Sequence, residues 1–256
     1  MDKKTVRWGR LTLGAGRPVV CVPVMGRDEA ALGAFARSAA LSGAEVIELR
    51  ADSLCAMPTV AQAMAMLRTV RDAAPDTPLL FTLRTQRDGG AGISDAAAYE
   101  ALLCGMMAQT DALPDALDCE LSVGEEVFMR IVRRAHDAGI SVVGSSHDFA
   151  KTPERAEIVR RLTDMERLGA DVCKIAVMPG TRADVLRLMR AAMEAYEALR
   201  APLIAISMGP LGAITRVGGE LMGSCLTFGA VGQTSAPGQM DAHALRDALS
   251  LLHGAM

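Results

Sequence analysis

The segment Asp171-Val172-Cys173-Lys174-Ile175-Ala176-Val177 is a run of apolar and small residues with one amine near its centre, and it reads as a buried strand. The amine is out of place there. Of 27 basic residues only four are lysines, Lys3, Lys4, Lys151 and Lys174, so surface cations here are mostly arginine and a lysine inside an apolar strand needs a reason beyond solubility. A charged ammonium in an apolar interior is costly, and one relief is a lowered pKa that leaves a neutral, nucleophilic amine. Such an amine forms a Schiff base with a carbonyl substrate. The competing reading is a snorkelling or ion-paired lysine without chemistry.

Outward from that strand the same pattern recurs along the chain. Strand candidates lie at 19–25, 45–50, 79–84, 116–120, 140–145, 202–207 and 226–231. Helical stretches lie between them at about 28–41, 58–74, 95–110, 124–137, 153–168, 181–199, 215–223 and 241–253. Gly43 closes the first helix, and Thr152-Pro153 reads as a cap with proline in the first turn. Residues 5–13 alternate around a glycine and form a hairpin ahead of the first core strand. Eight strand–helix units with short connections predict an α/β fold, a closed (β/α)8 TIM barrel, with residues 1–256 as one catalytic domain. An open doubly wound sheet is disfavoured. No strand leads into G-x-G-x-x-G, and Gly89-Gly90-Ala91-Gly92 lacks the Lys-Ser/Thr of a P-loop.

Composition narrows the function. Half of the residues are apolar but only eight are aromatic, so the core is aliphatic, with sixteen methionines. A net charge of −3 with dispersed basic residues argues against nucleic acid or an anionic membrane as partner. No apolar run reaches the roughly 18 residues of a membrane span, and the Asp-Lys-Lys start leads into no signal-peptide core, so a cytoplasmic protein is expected. The six cysteines show no C-x-x-C or metal-like spacing and read as free thiols.

In a barrel, chemistry gathers at the C-terminal ends of the strands. Glu48 and Arg50 are two apart there, so both point one way, and Asp52 continues the series. Arg84 ends the third barrel strand and Asp88 follows in a glycine-rich loop; His147 follows the fifth strand and Lys174 sits in the sixth. Ser207-Met208-Gly209 and Arg216 follow the seventh, and Ser235 through Gln239 the eighth. Singly, each has a plain structural explanation: a Glu48–Arg50 ion pair, an Arg84–Asp88 salt bridge, a surface histidine. Jointly, those explanations would require polar groups to collect by accident at one end of six strands. Together they supply an amine, an acid/base, arginines for an anion and groups for a polyol; one histidine and scattered carboxylates make no transition-metal set.

Glu48-Leu-Arg50-Ala-Asp52, Phe81-Thr-Leu-Arg84, Ser146-His147-Asp148-Phe149, Lys174-Ile-Ala-Val-Met-Pro179, Ser207-Met208-Gly209 through Thr215-Arg216, and Thr227-Phe-Gly-Ala-Val through Ser235-Ala-Pro-Gly-Gln239 occur in that order. Together they resemble type I 3-dehydroquinate dehydratase, from about residue 18 to the C-terminus. The resemblance implies syn elimination of water from 3-dehydroquinate to 3-dehydroshikimate, by a homodimeric barrel without metal or organic cofactor. By the family pattern Lys174 forms the imine and His147 is the general acid/base. Arg216, Ser235 and Gln239 hold the substrate carboxylate and nearby groups, while Glu48, Arg50 and Arg84 address ring hydroxyls. Three positions depart from the pattern: Asp88 stands where a glutamate commonly orients the histidine, Pro23 replaces a serine and Ile206 a methionine. The rival readings are another Schiff-base barrel lyase, such as a class I aldolase, and a non-catalytic barrel that binds small anions.

Overall fold

A computed structural model describes residues 2–232 and 235–256 of the chain. The hairpin falls inside 5–13, as β1 (Val6–Trp8) paired antiparallel with β2 (Leu11–Leu13). Eight parallel strands follow: β3 (Val19–Val24), β4 (Val46–Arg50), β5 (Leu79–Thr82), β6 (Ala116–Glu120), β7 (Ser141–Asp148), β8 (Val172–Val177), β9 (Leu203–Ser207) and β10 (Leu226–Ala230). Each of β3 to β8 pairs with the next in chain order, and β10 returns to β3 with Leu226 opposite Val19. The ring closes between β9 and β10, where the Cys225 N–H donates to the Leu203 carbonyl at 2.8 Å. A two-residue strand, β11 (Met240–Asp241), lies parallel beside β10; it is too short to carry a legible pattern.

Side-chain alternation divides the core into two shells. Val46, Leu80, Val143, Val172, Ile204 and Leu226 point inward and meet Trp8 and Leu13 of the hairpin, which close the N-terminal end of the barrel. Val20, Ile47, Phe81, Leu117, Ile175 and Ala205 point outward under the helices. Extending the inward parity along each strand toward its C-terminal end reaches Glu48, Asp118, Ser145, His147, Lys174 and Phe228. The interior is therefore apolar at one end and polar at the other.

The helices are α1 (Glu29–Leu41), α2 (Val60–Ala73), α3 (Ala96–Met107), α4 (Glu125–Asp137), α5 (Arg155–Arg167), α6 (Arg182–Ala198), α7 (Ile214–Val217) and α8 (Ala242–His253). Gly43 ends α1 as expected: at φ +83° its N–H donates to Ala40, and the Ala44 N–H reaches back to Ala39. Two sequence expectations are corrected. The helix expected over 215–223 is a four-residue α7 between 3₁₀ turns at Pro210–Gly212 and Glu220–Met222, because Gly218, Gly219 and Gly223 interrupt it. Thr152 is no cap, since its hydroxyl donates to the Met178 carbonyl at 3.1 Å and α5 starts later, after Glu154. Strand β7 also outruns its expected end, pairing with β8 as far as Asp148 opposite Val177. Among the described residues no helix is long and apolar enough to cross a membrane.

Candidate active site

The strand ends build one cavity, and the nine residues for which the family resemblance implies a role line it: Glu48, Arg50, Arg84, Asp88, His147, Lys174, Arg216, Ser235 and Gln239; Asp52 and Ser207, also noted at strand ends, do not. Ala176, Ile206, Met208 and Phe228 supply its apolar wall.

Lys174 is 4 % exposed, yet its surroundings are not the apolar ones its strand suggested. Its Nζ donates to Asp118 Oδ2 at 3.3 Å, lies 3.8 Å from Glu48 Oε1, and sits 4.5 Å from the centre of the Phe228 ring. The cost of burying the charge is thus offset by two carboxylates and an aromatic face. Neither carboxylate is near Lys174 in sequence, which is why the strand alone looked apolar.

His147 lies on β7, whose Ser145 is opposite Lys174 and whose His147 is opposite Ala176, so imidazole and amine enter the cavity from adjacent strands. Asp88 holds it: Oδ2 accepts from the His147 backbone N–H at 2.9 Å and faces ring Nδ1 at 3.0 Å. A carboxylate facing Nδ1 keeps the ring proton there and leaves the Nε2 lone pair as the base. The shorter side chain at position 88 reaches because the backbone brings it in. The loop after β5 doubles back, with the Gly90 N–H on the Thr85 carbonyl at 2.8 Å and the Gly92 N–H on the Arg84 carbonyl at 2.8 Å. A Cβ on Gly90 would fall 2.2 Å from the Arg84 carbonyl oxygen, so this close approach requires glycine. Phe149 covers the pair, its ring 6.5 Å from the imidazole and inclined by 20°. Burial pushes the His147 pKa well below 6.5, and the neighbouring positive charges of Arg84 and Lys174 add to this against the pull of Asp118. Burial likewise raises the Asp88 carboxyl, in opposition to Arg84.

Arg84 does not pair with Asp88. Its Nη2 donates to Asp118 Oδ2 at 2.6 Å, and its Nη1 to Glu120 Oε1 at 2.9 Å and Ser145 Oγ at 3.0 Å. Burial opposes its charge, but Asp118 and Glu120 outweigh burial and raise its pKa. Three of its five N–H groups are therefore engaged inside the protein. Arg50 does not pair with Glu48 either; it binds Asp52 bidentately at 2.9 and 2.8 Å.

Arg216 is the opposite case. It is 1 % exposed, and among the described residues it donates only to the carbonyls of Phe228 at 3.3 Å and Pro237 at 3.0 Å and leaves Nε without a partner. Among the described residues no carboxylate pairs with it, and burial lowers its pKa to about 10. A buried guanidinium with a free N–H edge in a cavity is a site for an anion. Ser235 and Gln239 stand beside it, locked to one another: the amide oxygen of Gln239 accepts from the Ser235 N–H at 2.7 Å and its Nε2 donates to Ser235 Oγ at 2.9 Å.

Sequence reasoning passed over Asp118 and Glu120. The signal was present, since Ala116-Leu-Asp118-Cys-Glu120 puts two carboxylates two apart in a buried strand, the same spacing that marked Glu48 and Arg50.

This arrangement can be set beside known proteins. Residues 20–256 match the model of the type I 3-dehydroquinase family. The chain is 42 % identical over 254 residues to a 3-dehydroquinate dehydratase of Listeria monocytogenes, covering 99 % of each. It superposes with a TM-score of 0.93 and 37 % identity on a type I 3-dehydroquinate dehydratase from Clostridium difficile carrying covalently modified comenic acid, over 100 % of both chains. The 3-dehydroquinate dehydratase of Geobacillus kaustophilus gives a TM-score of 0.93 at 34 % identity, over 99 % of this chain and 98 % of that one. With a family match over nearly its whole length and this barrel-mouth constellation, the chain belongs to the type I 3-dehydroquinase family.

Proposed function

We propose that the protein dehydrates 3-dehydroquinate to 3-dehydroshikimate through a Schiff base on Lys174, as a hydro-lyase of aromatic biosynthesis. The observation that carries this reading is one cavity lined by a buried amine, a carboxylate-oriented imidazole and a buried guanidinium that pairs with no carboxylate among the described residues. Each answers to one part of the substrate: the ketone, the acidic proton next to it, and the carboxylate.

The reaction requires a charge sink. A proton beside a neutral ketone is hard to remove because the resulting carbanion has nowhere to place its charge. The Lys174 amine adds to the ketone carbon; the ketone oxygen leaves as water, taking one proton from the nitrogen and one from solvent, and the product is an iminium. His147 Nε2 then takes the neighbouring proton, and the C–H electron pair becomes the enamine double bond as nitrogen turns neutral. The enamine pair expels the β-hydroxyl, which accepts the proton from His147 and departs as water, restoring a now conjugated iminium. Water releases the product. One imidazole serves both transfers when the proton and hydroxyl lie on the same ring face, so elimination is syn. Arg216 holds the substrate carboxylate, with Ser235 and Gln239 at its side, and Glu48, Arg50 and the remaining N–H groups of Arg84 address the ring hydroxyls.

Following the rise of conjugated-enone absorbance on adding 3-dehydroquinate tests the whole reading. A class I aldolase or a barrel that merely binds anions gives no such rise. The same reading carries a homodimer of one-domain subunits acting in the cytoplasm, checked by light scattering and cell fractionation.

Two further results are expected. Arg216→Ala raises KM by about 10- to 100-fold, the worth of a charge-assisted bidentate hydrogen bond of roughly 1.5–3 kcal/mol, with a smaller change in kcat. Steady-state kinetics decide, and an unchanged KM removes Arg216 from the carboxylate site. For pH, a histidine whose pKa is depressed stays an unprotonated base to lower pH than an ordinary one. The acid limb of kcat/KM, if set by His147 in the free enzyme, therefore lies below pH 6.5. A limb centred above pH 6.5 contradicts this.

A further inference from the structure

We infer that Asp118 is a positioning residue for the reaction, its carboxylate serving as the fixed counter-charge of the iminium that forms on the Lys174 nitrogen. The inference rests on the Schiff-base reading above.

Two carboxylates stand near Nζ, and the structure separates their tasks. Glu48 lines the cavity, accepts from Thr82 Oγ1 at 2.9 Å and is the farther of the two from Nζ, at 3.8 Å. Asp118 is nearer, at 3.3 Å, is 1 % exposed and does not line the cavity. It sits below the amine, placed for the nitrogen and away from a ligand. It is also held rigidly: Oδ1 accepts from Ser145 Oγ at 2.5 Å, and Oδ2 accepts from Arg84 as well as from Lys174. Burial opposes its ionisation, but Arg84 and Lys174 overcome that and keep the carboxyl well below the usual range. Asp118 is therefore a permanent anion and no proton acceptor.

The chemistry needs such a group. Nitrogen gains positive charge when the imine forms and again when the hydroxyl leaves, and a pre-oriented anion in a site shielded from water stabilises charge as it develops. The Arg84 clamp extends this order to the other half of the site. Arg84 also binds Glu120, whose Oε1 accepts from the Thr85 N–H at 2.8 Å at the start of the turn that carries Asp88 to His147.

The test compares Asp118→Asn with Glu120→Gln. Both substitutions remove a carboxylate from Arg84, but only the first removes one from Lys174. In Asp118→Asn with a native circular-dichroism spectrum, kcat is expected to fall by about 10²-fold. KM should stay within about threefold, and the fraction of Lys174 trapped by borohydride should fall in parallel, whereas Glu120→Gln keeps its trapped fraction. Full trapping in Asp118→Asn, or an equal loss of trapping in Glu120→Gln, overturns the inference. If Asp118→Asn does not fold, Ser145→Ala takes its place, since it leaves the charge but frees its direction. It is expected to lower both kcat and trapping several-fold, and wild-type values of both overturn the inference. Absence of trapping in the wild-type protein instead sinks the Schiff-base reading itself, so the two failures are distinguishable.

Discussion

Borohydride added during turnover is expected to attach the mass of the bound substrate to Lys174, and Lys174→Met is expected to lose about 10⁴-fold or more in kcat, on the order of 5 kcal/mol of transition-state stabilisation. The loss is large because no other group offers the electron sink: the cavity holds no second lysine, and Lys3, Lys4 and Lys151 lie outside it. Methionine is the informative replacement because it keeps the length of the unbranched apolar stem, with sulfur at the δ position, and removes the amine. Asp118 retains Arg84 and Ser145 in the variant, so the buried network keeps compensation for its charge. The measurements are mass spectrometry of the reduced adduct and the enone progress curve. An unlabelled lysine during rapid turnover excludes the covalent route.

His147→Ala separates imine formation from elimination. Each proton transfer by a positioned side chain is worth roughly 10²–10⁴-fold, and this imidazole is assigned two of them, so kcat is expected to drop by at least about 10³-fold. The variant should still be labelled at Lys174 by borohydride, because the ketone, the amine and Arg216 are untouched. Loss of Phe149's stacking partner exposes part of the cavity rim but removes no contact to Lys174. Turnover near that of the wild type would show that another group moves the protons. Failure of labelling would show that His147 acts earlier, in imine formation.

Both expectations concern residues legible before any coordinates, and the reason is local. A strand turns alternate side chains to opposite faces, so a polar residue at an inward position near a strand end is bound for the barrel mouth. That rule places Glu48, Arg50, His147 and Lys174 from their spacing alone. Arg216, Ser235 and Gln239 were placed by following the seventh and eighth strands and by motif rather than by alternation, because they lie beyond the strand ends, Arg216 in the short helix α7 and the other two in a loop. Asp118 and Glu120 obeyed the alternation rule and were passed over, since nothing nearby in sequence gave those two acids a partner.

What the chain determined by itself is the ring of eight strands, the direction in which each side chain leaves its strand, and the family to which the motifs belong. These depend on periodicity and on contacts a few residues apart. Tertiary structure alone decided which charge meets which. Lys174 finds Asp118 across 56 residues, Arg84 takes Asp118 and Glu120 rather than Asp88, and Arg216 is left with backbone carbonyls. Coulombic pairing in a low-dielectric interior depends on distances of a few ångströms between different strands, set by how those strands are staggered when the sheet closes.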